Sequence, residues 1–122
     1  MLHLLSLHYT ASEHDAEPYI AAHVAYLERH HHDGTFLASG QTVPTSIGGA
    51  IIAHGVDRPT IEQITAQDPF VTNGVAKYSI TTITPGRMHP ALADVLKPTP
   101  DKHMVMTIPG NAGTLPLTDL CS

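Results

Sequence analysis

The chain is poor in the residues that announce a partner. It has one cysteine, Cys121, and a lone thiol closes no internal disulfide. A reducing, cytoplasmic setting is therefore the expectation. Cys121 also lacks a neighbouring base that would make it a nucleophile. Six Lys and Arg stand against eleven Asp and Glu, for a formal net charge of -5. There is no basic stripe and no basic patch interleaved with aromatics, so nucleic acid is an unfavoured partner. No apolar run approaches the roughly 20 residues of a membrane helix. The apolar start, Met1 to Leu7, has no basic leader and no small-residue cleavage site, and reads as a strand rather than a signal peptide. Gly48-Gly49 is followed by no lysine, and no Gly-x-Ser-x-Gly elbow occurs. Charged residues make up only 14%. Self-association is the simplest cover for so weakly charged a surface; the other reading is a surface of Thr, Ser, Gln and neutral His.

The remaining pattern fits one domain of 122 residues with a real core. Leu2 to Tyr9 is apolar on both faces, as a central strand would be. Ser12 or His14-Asp15 can cap a helix running from about Ala16 to His32, with Pro18 tolerated in its first turn. Ile20, Val24, Leu27 and His31 recur at helical spacing and predict its buried face, with His23 on the shoulder. Gly34 predicts a left-handed helix end. Thr35 to Gly40 and Ala50 to His54 read as a hairpin. Asp57-Arg58-Pro59 starts a second helix that buries Ile61, Ile64 and Thr65, and Asp68-Pro69 ends it. Val75 to Ile83 is the clearest strand, rich in β-branched residues. The order β-α-β-β-α-β predicts a ferredoxin-like α+β domain over residues 1–85. Residues 86–122 form a Pro-rich C-terminal extension: a lid, an added strand or a dimer arm, with strand character from His103 to Ile108.

Two features carry candidate chemistry. His23 and Asp68 lie on or at the end of two helices expected on the same sheet face. Were they to meet, imidazole and carboxylate would form an acid–base pair, the carboxylate orienting the ring. The plainer account has a shoulder histidine and an aspartate that caps a turn. The run His30-His31-His32 invites a metal, but consecutive helical residues diverge by about 100°, so no metal ligand set is assigned; a solvated helix end is the expectation. Ser39, Gln41, His54 and Tyr78 are the candidate substrate-binding groups, each also readable as an exposed strand-end polar residue. Tyr9 is similar.

The segments His23…Leu27…His32-Asp33-Gly34-Thr35-Phe36-Leu37-Ala38-Ser39-Gly40 and Asp68-Pro69-Phe70-Val71-Thr72-Asn73-Gly74-Val75 together resemble the YCII-related family. The resemblance covers about Met1 to Pro85. It implies a dimeric α+β barrel, two ferredoxin-like subunits packed sheet against sheet, each with a pocket between sheet and helices. It also implies a His–Asp pair, which falls on His23 and Asp68. Related families on this barrel include isomerases and small monooxygenases, so the fold alone fixes no reaction. This chain has Glu17-Pro18-Tyr19-Ile20 where the family usually carries an Arg or other polar residue. Its long tail is also outside the family pattern.

The expectation is thus a homodimeric, cytoplasmic enzyme of lyase or isomerase type acting on a small organic molecule, with no cofactor demanded and no membrane or nucleic-acid partner. The alternatives are a non-catalytic ligand-binding or accessory domain of the same fold, and a metal-binding protein using the histidine run.

Overall fold

The computed structural model describes residues 1–96. The chain divides after Pro85. Before that point lie four strands, β1 (Leu2–Tyr9), β2 (Phe36–Gln41), β3 (Gly48–His54) and β4 (Ala76–Ile83). They form one antiparallel sheet in the order β2-β3-β1-β4, which is the ferredoxin-like arrangement. The helices between them are α1 (Glu13–Ala16), α2 (Ile20–His32), α3 (Arg58–Ala66) and α4 (Pro69–Thr72). Beyond Pro85 lies α5 (Pro90–Leu96), its first turn capped by His89 Nδ1, which accepts from the Ala91 N–H at 3.0 Å. The strand expected at His103 to Ile108 lies outside the described residues.

Local chemistry sets each boundary. Ser12 caps α1 through a reciprocal box: Ser12 Oγ accepts from the Asp15 N–H at 3.1 Å, and the Asp15 carboxylate accepts from the Ser12 N–H at 3.3 Å. The helix expected from Ala16 is broken at Pro18, and a 3-10 turn, Glu17–Tyr19, separates α1 from α2. Gly34, at φ 86°, ends α2 as the sequence predicts. Asp57 caps α3, its side chain accepting from the Thr60 N–H at 3.0 Å. Asp68 does more than terminate that helix. It opens the next one, capping α4 across Pro69.

The core fills the gap between the helices and one face of the sheet. Leu5, Tyr26, Phe36, Ile51, Ala53 and Ile61 form one buried cluster; Leu7, Ala16, Phe70, Val75 and Ala76 form the other, and Tyr78 packs against both. The face of α2 that enters the core is only in part the aliphatic stripe expected from its spacing: Leu27 packs against the first cluster. Tyr26 and His30 are buried, whereas Ile20 and Val24 are exposed. Flat aromatic and imidazole rings fill the narrow space against Phe36, with Tyr26 and Phe36 edge to face at 5.7 Å and His30 and Phe36 at 5.0 Å. The aliphatic stripe also faces a cavity. The histidine run is therefore not a uniformly solvated helix end: His30 is buried, His31 half-buried and His32 exposed.

Within residues 1–85, no helix packs on the opposite face of the sheet. Leu4 stands between Ile52 on β3 and Thr81 on β4. Leu4, Ile52 and Ile83 are 42%, 40% and 38% exposed. Within residues 1–85 the sheet thus has apolar residues on both faces and helices on one.

The start of β3 is fixed by close backbone approach. Gly48 has φ 144°, and a Cβ there would sit 1.8 Å from the Leu7 carbonyl oxygen. No side chain fits without moving β3 off β1. Gly40 also lies on a strand, but it has open space at its Cβ and no positive φ. Gly48→Ala is expected to destabilise the protein by about 2 kcal/mol or more, and Gly40→Ala by less than about 1 kcal/mol. Urea unfolding of the two variants side by side checks this; equal midpoints would mean the β1–β3 contact tolerates displacement.

Candidate active site

The residues that meet are His23 and Asp68. His23 lies one turn into α2, and Asp68 is the capping residue of α4. His23 Nδ1 and Asp68 Oδ1 are 2.8 Å apart. The geometry follows from the local sequence. Pro69 holds Asp68 in an extended conformation (φ -59°, ψ 127°), so its carboxylate turns over the first turn of α4 and accepts from the Phe70 N–H at 2.9 Å. Phe70 then stacks flat on the His23 ring, with centroids 4.0 Å apart and planes 6° apart. One tripeptide thus supplies both the hydrogen-bond partner and the face against which the imidazole rests.

Asp68 is fully buried, yet three donors from three elements surround its carboxylate. Besides His23 and the Phe70 N–H, the Tyr78 hydroxyl of β4 donates to Oδ2 at 2.6 Å. Tyr26 Oη lies 3.4 Å from Tyr78 Oη. Burial pushes the Tyr78 phenol far above its ordinary range, and the neighbouring Tyr26 and Asp68 push it further, so Tyr78 stays a donor at any working pH. Burial also raises Tyr26. A carboxylate only accepts, so the proton at the His23–Asp68 contact sits on Nδ1. The unshared pair is then on Nε2, which has no protein partner among the described residues.

His23 and Phe70 form part of the wall of a cavity of about 300 Å³. Ile20, Val24 and Leu27 line it from α2, and Leu7 and Ile51 from the sheet. Its polar side chains besides His23 are Tyr9, Ser39 and Gln41. Glycines 40, 48 and 49 leave backbone bare at one end. Ser39 and Gln41 therefore face the cavity. They pair in register with Ile51 and Gly49, which puts them on the helix-covered side of the sheet. Tyr78 is not on the wall; it stands behind Asp68. His54 is not on the cavity wall either. β3 begins at Gly48, beside the cavity, and His54 ends it at the far end of the sheet, paired with Leu2. There, burial lowers the His54 pKa, with a hydrogen bond to the Gly34 backbone acting against it.

The sequence alone did not single out three further groups. Phe70 stacks on the dyad. The Ile20–Val24–Leu27 stripe forms a cavity wall. His31 Nε2 lies 2.8 Å from Ser39 Oγ. The Asp-Pro-aromatic triplet was the available signal for Phe70, whereas a cavity wall and a core face share one periodicity. His3 is a fully buried histidine with both ring nitrogens bonded, to Thr82 Oγ1 and the Val56 carbonyl at 2.8 Å each, and it is a structural residue. Among the described residues, no group of three or more His, Cys, Asp or Glu is arranged to hold a metal ion. None of the helices among them is long and apolar enough to cross a membrane.

A four-stranded antiparallel sheet, helices on one face and a cavity between them define an α+β domain of the ferredoxin-like class. The chain belongs to the YCII-related domain family, whose model matches residues 1–84. Among solved structures it is similar to 5-chloro-2-hydroxyhydroquinone dehydrochlorinase from Burkholderia phenoliruptrix AC1100, in complex with 2,5-dihydroxybenzoquinone. The two share 21% identity and a TM-score of 0.59, over 70% of this chain and 96% of that one. No curated protein matches the chain.

Tyr78→Phe keeps the ring and removes the donor to Asp68 Oδ2, leaving a carboxylate oxygen unpaired in the interior. The expected loss of stability is about 1–3 kcal/mol. It would be read as a lower urea midpoint with an unchanged slope. A midpoint equal to wild type would mean that the oxygen finds another donor.

Proposed function

We propose that this chain is a small-molecule enzyme of lyase or isomerase type in which His23 is the general base. The observation that carries the reading is the 2.8 Å contact of His23 Nδ1 with the buried Asp68 carboxylate, at the wall of an apolar cavity. Asp68 fixes the tautomer and stabilises the imidazolium that forms; Phe70 holds the ring plane. Nε2 takes a proton from an acidic C–H next to a carbonyl, and the electron pair moves onto that carbonyl oxygen. In a lyase the pair then expels a leaving group from the neighbouring carbon. In an isomerase the imidazolium returns the proton at another carbon. The similarity to a dehydrochlorinase supports the lyase form. The reaction needs no cofactor, and the sequence's single cysteine favours a cytoplasmic setting.

The test is proton exchange. Ring-sized carbon acids incubated with the protein in D2O are expected to take up deuterium at the acidic carbon, followed by NMR. His23→Ala should slow exchange at least about 100-fold. Asp68→Asn, which offers the ring a donor where it needs an acceptor, should slow it by roughly 100- to 10,000-fold. Exchange that survives His23→Ala would remove His23 as the base.

The same reading makes the functional unit a homodimer. Its support is the sheet face left without helices within residues 1–85, where Leu4, Ile52 and Ile83 present an apolar surface that a second sheet would cover. Sedimentation equilibrium should give twice the chain mass, and Leu4→Glu combined with Ile52→Glu should give the monomer. A wild-type monomer at micromolar concentration would exclude the dimer.

A further inference from the structure

We infer that the cavity takes an uncharged, ring-sized molecule carrying a hydroxyl or carbonyl oxygen, and that Ser39, oriented by His31, reads that oxygen. The inference deepens the reading of this cavity as a substrate site and rests on it.

The charge argument comes from the wall. Among the described residues lining the cavity there is no Lys, Arg, Asp or Glu. A carboxylate or phosphate entering it would give up its hydration to aliphatic side chains and neutral donors, a costly exchange without a paired cation. Tyr9 adds no charge either, since burial raises its phenol and Glu13 raises it further. A cavity of about 300 Å³ lies at the small end of ligand pockets, with room for one ring and its substituents.

The polar end is set by Ser39. A serine hydroxyl on a strand end ordinarily rotates freely, and a free rotor gives up entropy on each contact. Here the His31 ring holds it, with Nε2 2.8 Å from Ser39 Oγ, and His31 itself stands edge-on against Phe36 at 6.1 Å. The hydroxyl is therefore aimed before any ligand arrives. When His31 Nε2 accepts the serine proton, Ser39 Oγ keeps its lone pairs for a ligand hydroxyl. When Nε2 carries the proton, the serine O–H is free for a ligand carbonyl. Both are uncharged oxygens. His23 and His31 are eight residues apart on α2, about 12 Å along its axis. Less the reach of the two side chains, that is the span of one ring with a substituent at each end. His23 would meet the acidic carbon, and Ser39 the distal oxygen.

Binding measurements separate this from the acid–base reading, because they need no turnover. The full chain is titrated with phenol, cyclohexanone, toluene and benzoate by ligand-observed NMR, with shifts of the His23 and Phe70 ring protons reporting the site. Phenol and cyclohexanone are expected to bind more tightly than toluene, and benzoate at least about tenfold more weakly than phenol. Ser39→Ala should lower the phenol-to-toluene affinity ratio about three- to tenfold. His31→Phe should lower it in the same direction, and His31→Gln, which can still bond the serine, should restore it. A packing role for His31 would move stability and leave that ratio alone. In a His23→Asn background, read on the Phe70 ring protons, proton exchange should be abolished while Ser39→Ala still lowers the ratio, so each reading can fall without the other. Benzoate binding as tightly as phenol, no phenol binding at the His23 and Phe70 rings, or an unchanged ratio in Ser39→Ala would overturn the inference.

Discussion

The site depends on one buried carboxylate. An aspartate wholly removed from water is costly to hold unless its oxygens are bonded, and Asp68 is held by donors that no single element could supply. One comes from the α2 side chain, one from the α4 backbone and one from the β4 side chain. The three donors converge only when helix layer and sheet are in register, so the cost of burying Asp68 is offset in the native arrangement alone. The carboxylate therefore acts as a three-way tie between the layers as well as the partner of His23.

Much of the fold could be read along the chain, because its signals are local. Gly34 needs only its own left-handed φ, Asp57 only the N–H three residues on, and the β-branched run from Val75 only its neighbours. The order of elements then leaves few topologies for a four-stranded sheet. The separate-looking events at Pro18 and Pro69 were harder. In each case a proline starts a new short helical segment where the pattern suggested continuity or an end. Asp68 consequently caps forward onto Phe70 as well as closing the helix behind it.

The site was less legible, and for physical reasons. A period of 3.6 identifies a sequestered stripe but does not say from what it is sequestered. Ile20, Val24 and Leu27 have that period because they line a cavity, Leu27 also touching the core, while the buried side of α2 is built from Tyr26 and His30, which a hydropathy pattern scores as mixed. The run of three histidines looked like one feature, but the helix sends its members to three environments: core, Ser39 and solvent. Register sets His54 off the cavity wall. β3 begins at Gly48, two residues before the apolar run suggested, and it is this early part of the strand that borders the cavity. Ser39 and Gln41 face the cavity because the irregularity between Phe36 and Ala38 still leaves Ser39 opposite Ile51. The pairing of His23 with Asp68, 45 residues apart, has no local signal; the expected topology put both on one sheet face, and the family resemblance implied that they pair.

The network also restricts where a proton can move. Four ionisable groups stand close together: His23, Asp68, Tyr78 and Tyr26. Tyr78 and Tyr26 are driven upward by burial and stay protonated, so neither competes as a base. Asp68 has both oxygens engaged and no water-accessible surface, so a substrate has no path to it. The Nδ1 proton of His23 is committed to Asp68 and the ring face to Phe70, which leaves Nε2 as the one group of the four free to exchange a proton with a ligand in the cavity. A lone histidine on a helix shoulder would be a solvated, rotating imidazole. Bonded to a buried carboxylate and laid against an aromatic ring, it presents a single basic nitrogen in a single direction, and the chemistry proposed for this protein requires that degree of restriction.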